Sequence, residues 1–328
     1  MEKEAMFYEK LGENIHCKLC PHSCIIKVGE QGKCNVRINR EGMLYTINYG
    51  EMTSVARDPI EKKPLYHFKP GSNILSVGSF GCNFTCGFCQ NYSISQGRAR
   101  SEYIYPEKLV EMCQGLEDNV GIAFTYNEPS IWYEYIYHCS KLLKESIKNI
   151  KIVLVTNGYI KEEPLRMLLP YVDAMNIDLK AFNNKYYKDI CGGSVKPVMD
   201  TIKISAKECH VEVTTLLVSG ENDSSEEISE IAGFIGSLSK DIPLHLSRYF
   251  PNYKMENPAT KVEVMYEDRD IAKKYLNYVY LGNVAGTDNS TYCPKCSNRV
   301  IERNGSHVHV DISNSICPKC GCKINIIL

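Results

Sequence analysis

Sixteen cysteines in 328 residues, most of them in three tight groups, constrain this chain more than any other feature. Cys17, Cys20, Cys24 and Cys34 lie near the start, Cys82, Cys86 and Cys89 form a central group, and Cys293, Cys296, Cys317, Cys320 and Cys322 lie in the tail. The opening MEKEAMFYEK lacks the basic-then-apolar pattern of a secretory signal. No apolar run approaches the ~18 residues of a membrane helix, so a cytoplasmic, reducing setting without membrane contact is expected. There, clustered cysteines point to metal rather than to disulfide staples. Cys113, Cys139, Cys191 and Cys209 are scattered in apolar or helical surroundings and are expected as small buried hydrophobes.

Hydrophobic residues make up 44% and charged residues 23%, enough apolar material for a sizeable core. From residue 71 to 285 short apolar strands alternate with helical stretches: NILSVGSF, GIAFTYNE, KIVLVTNG, AMNIDLKAF, HVEVTTLLVSG, PLHLSRYF and YVYLG. This α/β alternation predicts a parallel sheet covered by helices, closed as a barrel, a partial barrel or an open doubly wound sheet. In each design chemistry collects at the carboxyl ends of the strands. Cys82, Asn127, Glu128, Asn157, Asp178 and Lys180 all fall there. Residues 1–70 form an amino-terminal cysteine-rich segment, and 286–328 a cysteine-bearing tail.

The central GCNFTCGFCQN gives C-x3-C-x2-C on a loop directly after a strand. Three thiolates hold three corners of a cubic [4Fe–4S] cluster and leave one iron open. The bland alternative is a fourth ligand from elsewhere and an inert site. This motif, with Phe88 before the last cysteine, resembles the signature of the radical S-adenosylmethionine (SAM) superfamily. TYNEP (Thr125–Pro129), TNG (Thr156–Gly158) and IDLK (Ile177–Lys180) extend the resemblance to glycyl-radical-enzyme activating enzymes, such as that of pyruvate formate-lyase. YGEMTSVARDPIEKKPLYHFKPGS followed by GCNFTCGFCQNYSISQ is most similar to the radical SAM enzyme of AmmeMemoRadiSam systems.

The resemblance implies a partial (β/α)6 barrel in which Cys82, Cys86 and Cys89 hold a catalytic [4Fe–4S] cluster. It implies that the open iron chelates SAM and that a reduced cluster cleaves it to methionine and a 5′-deoxyadenosyl radical, which abstracts hydrogen from a substrate. It implies that Phe88 packs on adenine and Asn157 binds the ribose. Asn127 and Glu128 stand at the amino-group motif, which reads Gly-Glu in many relatives, and Asp178 with Lys180 orders the ribose and carboxylate region. Asn157 could instead simply shape its turn with Gly158, and Asp178–Lys180 could be a surface ion pair. Activases bring a histidine to SAM from a late strand; here that stretch is SRYFP with Phe250, and His245, out of phase, is expected in the core.

CPKC and CPKCGC in the tail, about twenty residues apart, have the zinc-ribbon arrangement: Cys293, Cys296, Cys317 and Cys320 as ligands to zinc, with iron as the other candidate metal. Cys322 is a spare, and Asn304-Gly305 signals a hairpin. Cys17, Cys20, Cys24 and Cys34, spaced C-x2-C-x3-C-x9-C, fit a closed zinc site or a second iron–sulfur cluster. His16 and His22 flank them.

The expected activity is therefore radical SAM chemistry on a partner protein or a small molecule, with glycyl-radical activation as one form. Flavodoxin or ferredoxin would be the reductant, and AMMECR-type and Memo-type proteins are partners implied by the family. The competing class is a zinc-ribbon module binding nucleic acid or protein on an inert iron–sulfur scaffold. Against it, 38 basic and 39 acidic residues leave a net charge of -1, without the basic surface that nucleic acid requires. Radical SAM modification of RNA ranks last for the same reason.

Overall fold

The computed structural model describes residues 2–97, 99–305 and 307–328. Its centre is one sheet of eight strands, numbered here along the chain. They are β1 (Ser54–Pro59), β2 (Asn73–Gly78), β3 (Asn119–Phe124), β4 (Lys151–Thr156), β5 (Ala174–Asp178), β6 (His210–Leu217), β7 (Leu244–Arg248) and β8 (Val279–Gly282). Each crossover carries one longer helix: α1 (Pro106–Gln114), α2 (Tyr133–Ser146), α3 (Glu162–Leu168), α4 (Val195–Ser205), α5 (Ser225–Leu238) and α6 (Val262–Ala272). The strand segments are short, β-branched and buried on both faces, as in KIVLVT of β4, and such runs suit a covered parallel sheet.

Strands β2 to β8 are parallel and lie side by side in chain order, while β1 pairs antiparallel with β2 at one edge. Every crossover therefore steps the same way. Right-handed crossovers of one direction place all their helices on one face, whereas a doubly wound sheet reverses direction at a switch point. That arrangement, left open by the sequence, is excluded. β1 and β8 are the two edges, so the sheet does not close on itself among the described strands. Because β1 belongs to it, the sheet begins before residue 71.

The amino-terminal segment forms two small antiparallel sheets. One joins Lys3–Glu4, Met43–Thr46 and Arg37–Arg40, and the other joins Tyr8–Leu11, Asn14–Cys17 and Ile25–Ile26. Arg37 ties the segment to the sheet's helical layer. Its guanidinium pairs with Glu134 of α2, and both side chains are buried. The same group donates to the Met6 carbonyl at 2.8 Å.

The tail, with strands Thr291–Tyr292, Arg299–Asn304 and His307–Val310, packs under the amino ends of the parallel strands. The contact is partly apolar, with Tyr278 and Tyr280 in one buried cluster with Val300, Ile301, Ile312 and Ile324, and it adjoins a buried polar network. Glu212 at the start of β6 accepts from His245 at 2.7 Å, from His210 at 3.0 Å and from the His67 backbone N–H at 2.7 Å. The His67 ring meets the Asn325 carbonyl at 2.8 Å and the Tyr280 hydroxyl at 2.7 Å. Arg303 donates to Thr291 and to the Tyr66 carbonyl. His245 is thus a core histidine with a carboxylate partner. No helix among the described residues is long and apolar enough to cross a membrane.

Candidate active site

The loop after β2 carries Cys82, Cys86 and Cys89, and its shape depends on glycine. Gly81 has φ +86°, and a Cβ there would lie 2.5 Å from Val36 and 2.7 Å from the Cys34 carbonyl. Only glycine allows both the left-handed turn and this approach to the amino-terminal segment. The loop's other side is stapled by a π-helical turn, Tyr187–Cys191, after β5. Thr85 N–H donates to the Cys191 carbonyl at 2.8 Å and Gly87 N–H to the Ile190 carbonyl at 3.2 Å.

All three thiols line one cavity of about 380 Å³ at the carboxyl ends of the strands, together with Phe88, Asn127, Glu128, Asn157, Asp178 and Lys180. That volume lies in the range of small-ligand sites. Every strand-end residue singled out in the sequence is therefore brought to one place. Two donors meet Cys82 Sγ, the Phe84 N–H at 3.3 Å and the Asn157 amide at 3.8 Å, and Cys89 Sγ shares a hydrogen bond of 3.1 Å with Ser95 Oγ. Burial pushes the Cys82 thiol well up, and the buried Glu128 carboxylate adds to this. Cys86 goes the other way. A hydrogen bond from Cys191, then the Lys180 ammonium, holds it below the ordinary thiol value despite its burial.

Glu128 is buried and saturated. It accepts from Ser130 N–H at 2.9 Å, Thr156 Oγ1 at 2.6 Å and Asn157 N–H at 2.7 Å, so it binds the start of α2's leading turn to the end of β4. Asn127 accepts from Ser79 N–H and donates to the Gly81 carbonyl, both at 3.0 Å. It braces the stretch leading into Cys82. Asn157 shapes its turn, accepting from Tyr159 N–H at 2.8 Å, while its amide reaches Asn83 Oδ1 at 2.8 Å and Cys82 Sγ at 3.8 Å.

Asp178 and Lys180 do pair, at 2.8 Å, but not on the surface: the Lys180 side chain is only 12% exposed. Its ammonium lies 5.7 Å from the Phe88 ring centroid. Burial alone would lower its pKa, yet Asp178, Cys86 and Cys191 hold it well above the ordinary lysine value. Phe88 is buried and faces Tyr186 at 6.3 Å between ring centroids.

Cys113 and Cys139 are core fillers as expected. Cys191 is buried too, but against Cys86, and the expectation of a bland core residue misses that. The available signal was the glycine pair after it. Gly192 has φ +78°, and a Cβ on Gly193 would fall 2.3 Å from the Phe84 ring, so C-G-G marked a close approach to the cysteine loop. Lys63, Asp58 and Tyr126 were also missed. Asp58 accepts from Lys63 Nζ and Tyr126 Oη at 2.8 Å each, beside the cavity.

In the tail, Cys293, Cys296, Cys317 and Cys320 place their sulfurs within 4.8 Å of one another, with 3.6 Å for Cys293–Cys320 and 3.7 Å for Cys296–Cys317. A tetrahedral single-ion site with metal–sulfur bonds of about 2.3 Å has such edges. Cys322 is not in the group. The donor set fits one metal ion.

The profile of the radical SAM superfamily matches residues 76–235. The Methanocaldococcus jannaschii protein MJ0808 is 42% identical over 99% of this chain and 100% of its own length. A putative glycyl-radical enzyme activating enzyme of the same organism, MJ1632, is 29% identical over 65% of this chain and 80% of its own. Among solved structures, a radical SAM methyltransferase from Sphaerobacter thermophilus aligns with a TM-score of 0.52 and 18% identity over 65% of this chain and 67% of that one. This last likeness concerns the fold alone.

Proposed function

Because this chain belongs to the radical SAM superfamily, we propose that it is a radical-generating enzyme of the activating-enzyme type, built on a partial (β/α)6 barrel. The observation that carries this reading is the convergence of Cys82, Cys86 and Cys89 on one cavity with strand-end polar residues. Three thiols from one loop, none in a disulfide, suit a [4Fe–4S] cluster with one open iron. When bound, the cluster supplies one low-potential electron that cleaves SAM to methionine and a 5′-deoxyadenosyl radical.

The chain's own residues hold that chemistry in place. Asn157 and the Phe84 N–H donate to Cys82, and Lys180 sets a positive charge beside Cys86. Phe88 offers an apolar wall for adenine, and Asp178 a carboxylate for ribose hydroxyls. Glu128 and Asn127 act on the cofactor's surroundings through the backbone they fix. The sequence departure at Asn127 agrees with this, since its amide is committed to the loop.

A protein substrate is favoured, because MJ1632 is named as a putative glycyl-radical enzyme activating enzyme. AMMECR-type and Memo-type proteins are candidate partners, flavodoxin or ferredoxin the candidate reductant, and the tail a zinc ribbon. The test is anaerobic incubation of reconstituted protein with SAM and dithionite, following 5′-deoxyadenosine by mass spectrometry, with Cys86→Ala as control. Deoxyadenosine from the wild type alone supports the reading; failure to bind SAM overturns it.

A further inference from the structure

The four amino-terminal cysteines are gathered in a manner different from the tail's. Cys17, Cys20, Cys24 and Cys34 line one small enclosed cavity, with Arg37 and Ile131 closing it. They are spread more widely than the tail ligands: among the described residues, only the tail group brings three or more ligand atoms all within 4.8 Å. A single ion draws four sulfurs onto edges of about 3.8 Å. A four-iron cube gives each sulfur its own iron and keeps them further apart. Cys82, Cys86 and Cys89 share the wide spacing. Arg37 is 1% exposed and ion-paired with Glu134, and its Nε has no hydrogen-bond partner among the described residues, so a spare buried donor stands at the wall of a thiol cavity. An anionic cluster satisfies it.

The cavity backs directly onto the catalytic loop. The Cys34 carbonyl abuts Gly81, next to Cys82. His22, between Cys20 and Cys24, contacts the Asn83 carbonyl through Nε2 at 2.7 Å, and Asn83 follows Cys82. We propose that Cys17, Cys20, Cys24 and Cys34 bind a second [4Fe–4S] cluster, which relays single electrons to the Cys82–Cys86–Cys89 site. One electron enters it from a reduced iron–sulfur or flavin protein, and the same electron leaves by way of His22 and Asn83. No bond is made or broken in the transfer. The relay, unlike the site, rests on the radical chemistry proposed above.

The test is metal analysis with Mössbauer and EPR spectra of the full chain, purified anaerobically. The wild type is expected to hold about eight irons and one zinc. The triple variant Cys82→Ala/Cys86→Ala/Cys89→Ala, whose amino-terminal segment is untouched, is expected to keep about four irons in a cube. Zinc in place of that iron, or no metal at all with the tail zinc retained, overturns the second cluster and leaves the radical SAM reading standing. Loss of all iron in Cys17→Ala/Cys34→Ala, with the triple variant unchanged from wild type, would sink the central cluster instead. For the relay, Cys17→Ala/Cys34→Ala should lower the ratio of ferredoxin-driven to dithionite-driven deoxyadenosine at least tenfold. An unchanged ratio overturns the relay.

Discussion

Glu128 illustrates how a residue at a cofactor motif can act on the protein rather than on the ligand. Its two oxygens take three donors, and a Glu128→Gln amide would turn N–H groups toward one or more of them. We expect a loss of about 1–3 kcal/mol in urea unfolding, with the wild-type cluster ligands intact. At Cys86 the neighbours are more informative than the residue. In metal-free protein the pH midpoint of Cys86 alkylation should fall below an ordinary thiol's, and Cys191→Ala should move it up, because the Cys191 hydrogen bond stabilises the thiolate. An unmoved midpoint would assign the shift to Lys180. Cysteine spacing was legible in the sequence because ligands on one loop are a local matter. Cys191 was not, since it lies over a hundred residues from Cys86 and meets it only through the packing of the turn after β5.

At the scale of elements, two buried charges set expectations of opposite sign. The Arg37–Glu134 pair pins the amino-terminal sheets to α2. Glu134→Ala strands a buried guanidinium, which should cost about 3–5 kcal/mol and speed hydrogen exchange across Arg37–Arg40. On α6, Asp268 is 2% exposed and one of its oxygens lacks a partner among the described residues. Burial, then Asp223 and Glu267, raise its pKa from 3.8 to about 7. The folded state therefore binds this proton more tightly than the unfolded chain, and the contribution of Asp268 to stability is full below pH ~4 and declines as pH rises toward 7. Asp268→Asn should be more stable than the wild type at pH 7 and equal to it near pH 4, by denaturant titration across that range. The strands were readable as apolar runs between turn residues. Neither charge was, because a charged residue in an amphipathic helix reads as solvent-facing until its neighbours are known.

For the molecule as a whole, the one-way strand order gathers all strand ends into one rim and leaves the opposite rim to the tail. The βα alternation announced the parallel sheet, but direction of winding is fixed by which strands pair, and no local pattern records that. Nor could the sequence tell where the tail sits. Its contacts run through His67, Tyr280 and Arg303, and their side-chain partners are remote in the chain. With a metal ion loaded on Cys293, Cys296, Cys317 and Cys320, whose sulfurs lie within 4.8 Å of one another, its removal by a chelator should lower the thermal midpoint of the central sheet as well as exposing 286–328 to protease. If the tail melts while the midpoint of the sheet holds, the two are uncoupled.

The pairing of His67, Phe68 and Lys69 with Asn325 and Ile327 spans about 258 residues. Closing so long a loop is entropically expensive at first contact and adds little per further residue, and contacts this distant in sequence slow folding. Completion of the amino rim is therefore expected to be a late step. A metal ion held by the four tail cysteines would preorder the tail and present that late step with a ready-made surface, so metal supply would then govern how fast the protein matures.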